Sequence, residues 1–458
     1  MVSRRGFLAG GACLPVLPVS AWAQSAPVVL VAREARAQIA PDGFASTPVW
    51  SFDGVIPGPE LRVAQGARLI RRVVNELPAP TAVHWHGIRI DNAMDGVPGL
   101  TQRAIAPGES FDYDFVVPDA GTYWYHSHNR SMEQVERGLA GALIVEEAEA
   151  PEVDREVTLL LDDWRLNPDT VALAPFDNAH DLSHAGRLGN LITVNGVFNW
   201  TGDAGRNERL RLRLINAANA RIFDLSVQGV TGWILAYDGM PLAVPEPLGA
   251  RLVMAPGQRV DLIADVTAAP GGAVDLVSHQ RDEAFAIARM EVGAPVSAAR
   301  RDAPGALPPN PVAYPSRVAD APLTTIRMEG GAMRGLAQAQ FNGAPLDGRS
   351  LAGQGKFWAL SGVVDLTDLP LIDAARGEAH RIAFVNDTAF PHGMHMHGHH
   401  FFLLEDSGAL GALRDTVLVA PGATQQVVFV ADNPGDWLLH CHMLGHAQAG
   451  MKTWFRVA

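Results

Sequence analysis

The sequence predicts an all-β protein, and three observations carry that prediction. Glycine and proline are plentiful, 45 and 32 in 458 residues, which favours many short strands joined by turns. Short apolar runs alternate with turn residues along the chain, as in Pro48 to Gly54, Arg68 to Val74 and Phe111 to Val117. The last of these alternates aromatic or apolar with acidic residues, the period-2 pattern of a half-buried strand, while long stretches of 3.6-residue period are scarce. Packed sheets of sandwich type are the expected form.

The length exceeds one small domain, and a composition 48% hydrophobic and 19% charged supplies a substantial core. The formal charge of −13 argues against a nucleic-acid partner, which would need a basic face. At the start of the chain, Ser3-Arg4-Arg5-Gly6-Phe7-Leu8 reads as a twin-arginine signal. A short apolar run to Val19 follows, then a cut expected after Ala23. That run is too short, and too broken by Pro15 and Pro18, for a membrane anchor. Cys13 lacks a convincing lipid-attachment context. The expected partner in secretion is therefore the twin-arginine export machinery, which moves folded proteins, and the expected location is the periplasm.

A loose repeat divides the remainder. Residues 68–75, 210–216 and 380–386 are similar apolar runs, each ending in asparagine. Each is followed by an Ala-Pro-Gly turn, at Ala106, Ala255 and Ala420, that leads into another strand. Copies spaced by about 150 residues are domain-sized. The expected division is a signal at 1–23, domains at 24–148 and 149–295, a proline-rich linker at 296–322, and a third domain at 323–458.

With the signal removed, one cysteine is left, Cys441, so no internal disulfide can form. It lies in His440-Cys441-His442, followed by His446 and Met451. On a strand, side chains alternate between faces, so His440 and His442 should point one way and Cys441 the other. Ten of the sixteen histidines fall in four windows totalling 19 residues: 84–86, 126–128, 392–397 and 440–446. Even scatter would place fewer than one there. Each His-x-His pair on a strand presents both imidazoles on one face, as ligands for one metal or two adjacent ones. Two histidines, a thiolate and a weak axial thioether form the blue-copper set, supplied here by His392, Cys441, His446 and Met451. Zinc is the rival, but its structural sites prefer several cysteines and its catalytic sites use about three protein ligands. Eight further histidines suit several coppers better.

Four segments in register resemble the multicopper oxidases, the laccase-like three-domain family: His84-Trp85-His86-Gly87, Tyr125-His126-Ser127-His128, His392 to Gly398, and His440 to Met451. The match runs over essentially the whole mature chain. The resemblance implies three cupredoxin-like Greek-key β-sandwiches and four copper ions. Type 1 copper would take His392, Cys441, His446 and Met451. Type 2 would take His84 and His395, and the type 3 pair His86, His126, His128, His397, His440 and His442. It implies one-electron oxidation of a small reducing substrate at type 1. Electrons would then cross from Cys441 to His440 and His442, where dioxygen is reduced to water.

Two departures from the family pattern stand out. Gly393 replaces a proline common after the first type 1 histidine, which puts loop rigidity in question. Gly445 stands where bacterial relatives often carry a carboxylate thought to deliver protons. Asp95 matches the family's other acid and is the remaining relay candidate, with a turn-forming aspartate before Gly96 as the equal alternative. Of the other histidines, His279 and His380 read as structural, His399 and His400 as groups that orient ligands. His180 and His184 read as loop side chains, with a stray surface metal site as the alternative. Met394, Met396 and Met443 read as soft packing around the metals.

For substrate, the expectation is phenols or aromatic amines. The alternative is a cuprous oxidase serving copper tolerance, whose relatives carry a methionine-rich insertion in the third domain. Residues 356–378 here contain no methionine. A non-enzymatic envelope protein or copper buffer would not need the complete ligand set or the His-Cys-His bridge. A nitrite reductase would lack the type 3 pairs.

Overall fold

The computed structural model describes residues 27–281 and 283–458. The twin-arginine segment, Cys13 and the expected cut after Ala23 lie outside the described residues. Among those described, strands dominate, helices are short, and no helix is long and apolar enough to cross a membrane.

Six of the seven sheets among the described residues fall into three sets of two, and the seventh is a small hairpin of Gln338–Phe341 and Ala344–Asp347. In the first set, Thr47–Phe52, Val28–Ala37, Arg68–Asn75 and Ser110–Val116 lie side by side, facing a sheet of Gly58–Ala64, Ala140–Glu146, Gly121–Ser127 and Val83–His86. The second set is built from strands between Arg155 and Pro295, the third from strands between Leu323 and Val457. Each has its own principal apolar core. The segment 296–322 carries no strand among the described residues.

The sequence repeat has one structural meaning in all three sets. Arg68–Asn75 runs parallel to Val28–Ala37 and antiparallel to Ser110–Val116. Arg209–Asn216 stands in the same relation to Arg155–Trp164 and Arg259–Val266, and Ala379–Asn386 to Leu323–Gly330 and Thr424–Val430. The closing asparagine has one job each time. Asn75, Asn216 and Asn386 accept through Oδ1 from the backbone N–H two residues on, at 2.9, 3.0 and 2.9 Å. Their Nδ2 groups donate to the carbonyls of Ile105, Met254 and Val419. Their own carbonyls accept from Gly108, Gly257 and Gly422 of the Pro-Gly turns, whose φ of +80°, +87° and +74° only glycine adopts without strain. A buried amide that closes one strand onto the next turn recurs because all its polar atoms are satisfied there.

Short helices seal the junction between the sets. Glu136, at the end of helix Ser131–Glu136, is buried with Arg187 (Nε at 3.0 Å) and accepts from Asn219 Nδ2 and the Arg165 N–H. Burial, with Asp163 nearby, outweighs Arg187 and pushes Glu136 up to about 7. Asp162 beside it is raised by burial and by Asp163. A carboxyl whose folded pKa is raised binds extra protons in the native state. Its contribution to stability is thus fully present below its ordinary value near 4.5 and is lost as pH rises through about 7. Denaturant unfolding at pH 5 and pH 7.5 should therefore show the wild type losing roughly 2 kcal/mol more than Glu136→Gln between the two. Parallel profiles would mean that Glu136 is ionised throughout.

Candidate metal centre

Two pairs of neighbouring strands bring the histidine windows together. In the first set, Val83–His86 pairs with Gly121–Ser127 so that His84 lies opposite His126. In the third, His392–Met396 pairs with Gly435–Cys441 so that His395 lies opposite His440, and Met394 opposite Cys441. The two sets then face each other. His84 stacks on His397, and His86 on His395, each with ring centroids 3.8 Å apart. His126, His128, His440 and His442 pack edge-on around them. All but His128 are buried.

Cys441 lies in a separate place. Its Sγ sits 3.6 Å from His392 Nδ1 and 3.7 Å from His446 Nδ1. Met451 is buried in the same apolar cluster as Cys441, Met394, Met396, Met443 and Trp358, and its carbonyl accepts from the Cys441 N–H. The alternation expected for His440-Cys441-His442 holds at the end of strand Gly435–Cys441 and one residue past it, with Cys441 toward His392 and His446 and the two histidines toward the first set.

The donor chemistry fits metal ions at both places. His446 Nε2–H donates to the His184 carbonyl (2.6 Å) and His392 Nε2–H to Thr388 Oγ1 (2.8 Å), whose own hydroxyl has carbonyl and amide acceptors. Both Nδ1 atoms therefore carry lone pairs, and they face each other at 3.0 Å. Likewise His397 Nδ1–H donates to the Asp95 carboxylate and His440 Nδ1–H to the Cys441 carbonyl, leaving two Nε2 lone pairs opposed at 3.1 Å. Opposed lone pairs repel unless a cation lies between them. The Nε2 atoms of His84, His126, His128 and His395, Nδ1 of His86 and both nitrogens of His442 are buried without a hydrogen-bond partner, a costly state for polar atoms unless they bind an ion.

Electrostatics agree. Burial pushes the imidazoles of His86, His126, His128, His392, His397, His440 and His442 well below the ordinary value, so they are neutral donors. Burial pushes the Cys441 thiol up to about 12, so a thiolate there requires a cation to compensate it. Within 4.8 Å of one another lie the donor atoms of His392, Cys441 and His446; of His84, His86 and His126; of His128, His397 and His440; and of His84, His395 and His397.

Asp95 fills the turn role, and its carboxylate also reaches the histidine cluster. It ends the short helical turn Asn92–Met94, and its carbonyl accepts from His84 Nδ1–H at 2.9 Å. Its buried carboxylate accepts from His397 Nδ1–H at 3.0 Å and lies 3.2 Å from His84 Nδ1. The missing acid at 445 has a steric cause. A Cβ on Gly445 would meet the Asp181 carbonyl at 2.8 Å and Met132 Sδ at 3.3 Å. Gly393, by contrast, has only ordinary contacts where its Cβ would stand.

Several groups escaped the sequence reading. Asp415 lies 3.3 Å from His86 Nε2, and its carbonyl accepts from His395 Nδ1–H. Nothing around Asp415 in the sequence marks it. His184 contributes through its backbone carbonyl, and its ring stacks on His180 at 3.8 Å. Trp358 lies against His446 (4.3 Å between centroids) and donates to the Leu182 carbonyl, so helix Ala179–Ser183 covers the Cys441 side of the centre. His399 lies buried beside the His397 carbonyl, and His400 Nε2 lies 3.6 Å from Asp415. His279 bonds to Ser226 and His380 approaches Glu378, both away from the centre.

Two family models described as multicopper oxidase match residues 34–150 and 347–458. A solved multi-copper oxidase from Pseudomonas thermotolerans is 32% identical, with 94% of this chain and 99% of that one covered and a TM-score of 0.82. Laccase-1 of Botryotinia fuckeliana is 28% identical over 90% of this chain and 78% of its own. A copper resistance protein A homolog of Pseudomonas syringae pv. tomato is 27% identical, with 89% and 88% covered.

Proposed function

Because this chain belongs to the multicopper oxidase family, copper-dependent oxidoreductases that use oxygen, we propose that its reducing substrates are phenols or aromatic amines. The single observation that carries the reading is that Cys441 faces His392 and His446 while its chain neighbours His440 and His442 face the histidines of the first set.

We take the three pairs of sheets as domains 24–148, 149–295 and 323–458, joined across 296–322, and four coppers as the complement. His392, Cys441, His446 and Met451 would hold type 1. His84 and His395 would hold type 2, and His86, His126, His128, His397, His440 and His442 the type 3 pair. When bound, copper supplies one-electron acceptance at the Cys441 site and four-electron reduction of dioxygen to water at the histidine cluster. The chain supplies the rest. Cys441 is covalently continuous with both His440 and His442, which gives electrons a short bonded path. Donation from His446 Nε2–H to the His184 carbonyl makes helix Ala179–Ser183 the face on which a reductant docks. Asp95, between His84 and His397, is placed to pass protons to the cluster. The twin-arginine reading makes the mature protein periplasmic.

Met451, the thioether that would complete the Cys441 set, would favour electron-rich substrates, since such a ligand tunes the potential. The copper-tolerance reading has a relative's name behind it. Against it, residues 356–378 hold no methionine, Met328 is buried, and Met333 is the one exposed methionine between 323 and 378. Oxygen uptake by the copper-loaded protein, with a methoxyphenol and with Cu(I) in parallel, tests the reading. Uptake with the phenol is expected; uptake with Cu(I) alone would overturn the substrate class, and uptake with neither would revive a non-enzymatic role. In the same assay Asp95→Asn should lower turnover by about a hundredfold or more. An unchanged rate removes Asp95 from the proton path.

A further inference from the structure

Domain 2 supplies none of the proposed ligands, yet one of its side chains reaches the histidine cluster. We propose that Arg259 is a positioning residue for that cluster, acting through Asp415 on His86 and His395. The proposal rests on the reading of those two histidines as copper ligands.

Arg259 opens strand Arg259–Val266, directly after the Pro256-Gly257 turn, and is fully buried. A guanidinium has five N–H donors. Here each meets an acceptor: the carbonyls of Thr122 (3.2 Å), Gly257 (2.9 Å) and Asp238 (3.0 Å), and the two carboxylate oxygens of Asp415 (3.0 and 2.6 Å). Those acceptors come from all three domains. The planar fork therefore fixes Asp415 in position and in charge, which a point charge could not do.

What Asp415 does with that fixed geometry bears on the metal. Its Oδ1 lies 3.3 Å from His86 Nε2 and 3.4 Å from His395 Nδ1, and Thr416 Oγ1 donates to it at 2.7 Å. The Asp415 carboxylate thus holds the His86 ring directly, while the Asp415 carbonyl accepts from His395 Nδ1–H at 3.0 Å, so one residue orients a type 3 and a type 2 ligand, each with its other nitrogen left free for metal. Without Arg259 the same carboxylate would be a buried charge with no full partner, and would swing or neutralise.

Two glycines make room for the arrangement. A Cβ on Gly87, the residue closing His84-Trp85-His86-Gly87, would overlap both Arg259 Nη2 and Asp415 Oδ2. A Cβ on Gly257 would press on the rings of His442 and His86 at 3.0 Å. In domains 1 and 3 the equivalent turn glycines, Gly108 and Gly422, have nothing within 4 Å. Only the domain 2 copy of the turn is packed against the cluster.

The test uses copper-loaded wild type, Arg259→Lys and Arg259→Met. Copper content is followed by elemental analysis and type 1 and type 2 signals by electron paramagnetic resonance during titration with a copper chelator. Both variants should keep the type 1 signal while losing cluster copper at about 10- to 100-fold lower chelator concentration, lysine less than methionine. Parallel release of type 1 copper would mean a general structural role, and unchanged release with a wild-type type 2 signal would mean none; either overturns the proposal. If the methionine variant does not accumulate folded, the lysine variant decides, since it keeps the buried charge. Wild-type protein holding copper at Cys441 but none at the histidines would overturn the functional reading instead.

Discussion

Replacing Cys441 with serine should abolish substrate-driven oxygen uptake while leaving the histidine cluster able to take up copper. Sulfur is the only soft donor with charge in the set of His392, Cys441 and His446. A serine hydroxyl in the same apolar pocket, among Met394, Met443 and Trp358, would stay protonated and bind copper weakly. Loss of groups that merely hold a ligand costs about 10- to 100-fold, so loss of the ligand itself should lower turnover by more than about a thousandfold. The substitution is nearly isosteric, so its cost to folding should be about 1–3 kcal/mol, for a hydroxyl buried without a partner. Absence of the blue thiolate band, retention of about three coppers by elemental analysis, and loss of oxygen consumption are the expected results. A variant without the blue band that still consumed oxygen at a tenth of the wild-type rate would show that electrons enter elsewhere.

This result is legible in the sequence because the relevant information is local. Alternation along one strand separates Cys441 from His440 and His442, and the His-x-His pairs need only the same rule. The threefold repeat was legible for a similar reason, since its asparagines and Pro-Gly turns close onto their own strands. What was not legible is what arrives from far along the chain or from the backbone. Asp415 meets His86 across 329 positions, and Arg259 meets Asp415 across 156. The His184 carbonyl that accepts from His446 belongs to a residue read as loop, and a carbonyl leaves no trace in residue type. Asp95 shows the intermediate case. Its turn role follows from Gly96 beside it, but its carboxylate contact with His397, 302 residues away, needed the fold. Nothing beside Gly87 in the sequence explains it; its φ of +86° and the space taken by Arg259 and Asp415 from the second and third sets of sheets do.

Installing the missing acid should fail, and Gly445→Glu is expected to be the most destabilising of the substitutions considered. Gly445 sits in helix Leu444–Gln448, where the first turn packs against Asp181 of helix Ala179–Ser183 and Met132 of helix Ser131–Glu136. The Asp181 carbonyl, 2.8 Å from the position of a Cβ, is backbone and cannot rotate away. Asp181 is itself held by Arg165, with N–O distances of 2.6 and 2.7 Å, and by Arg187 at 3.3 Å. Overpacking alone costs about 1–3 kcal/mol, and a carboxylate placed among buried acids without a cation of its own adds to it. The total should exceed about 4 kcal/mol, in the range reserved for the few severe mechanisms. The displacement would act on both ends of the helix. Leu444 N–H donates to the Asn219 carbonyl, and the His446 ring is pinned to His184, so pushing the two helices apart releases His446 from its acceptor. Copper at Cys441 should therefore be lost before the protein unfolds, seen as bleaching of the blue band at denaturant concentrations that leave the far-ultraviolet circular dichroism unchanged. Gly445→Ala separates the two contributions, since it keeps the clash and removes the charge; about half of the loss should remain. A Gly445→Glu protein of wild-type stability with faster oxygen reduction would show that the helices yield, and that glycine at 445 reflects no steric demand.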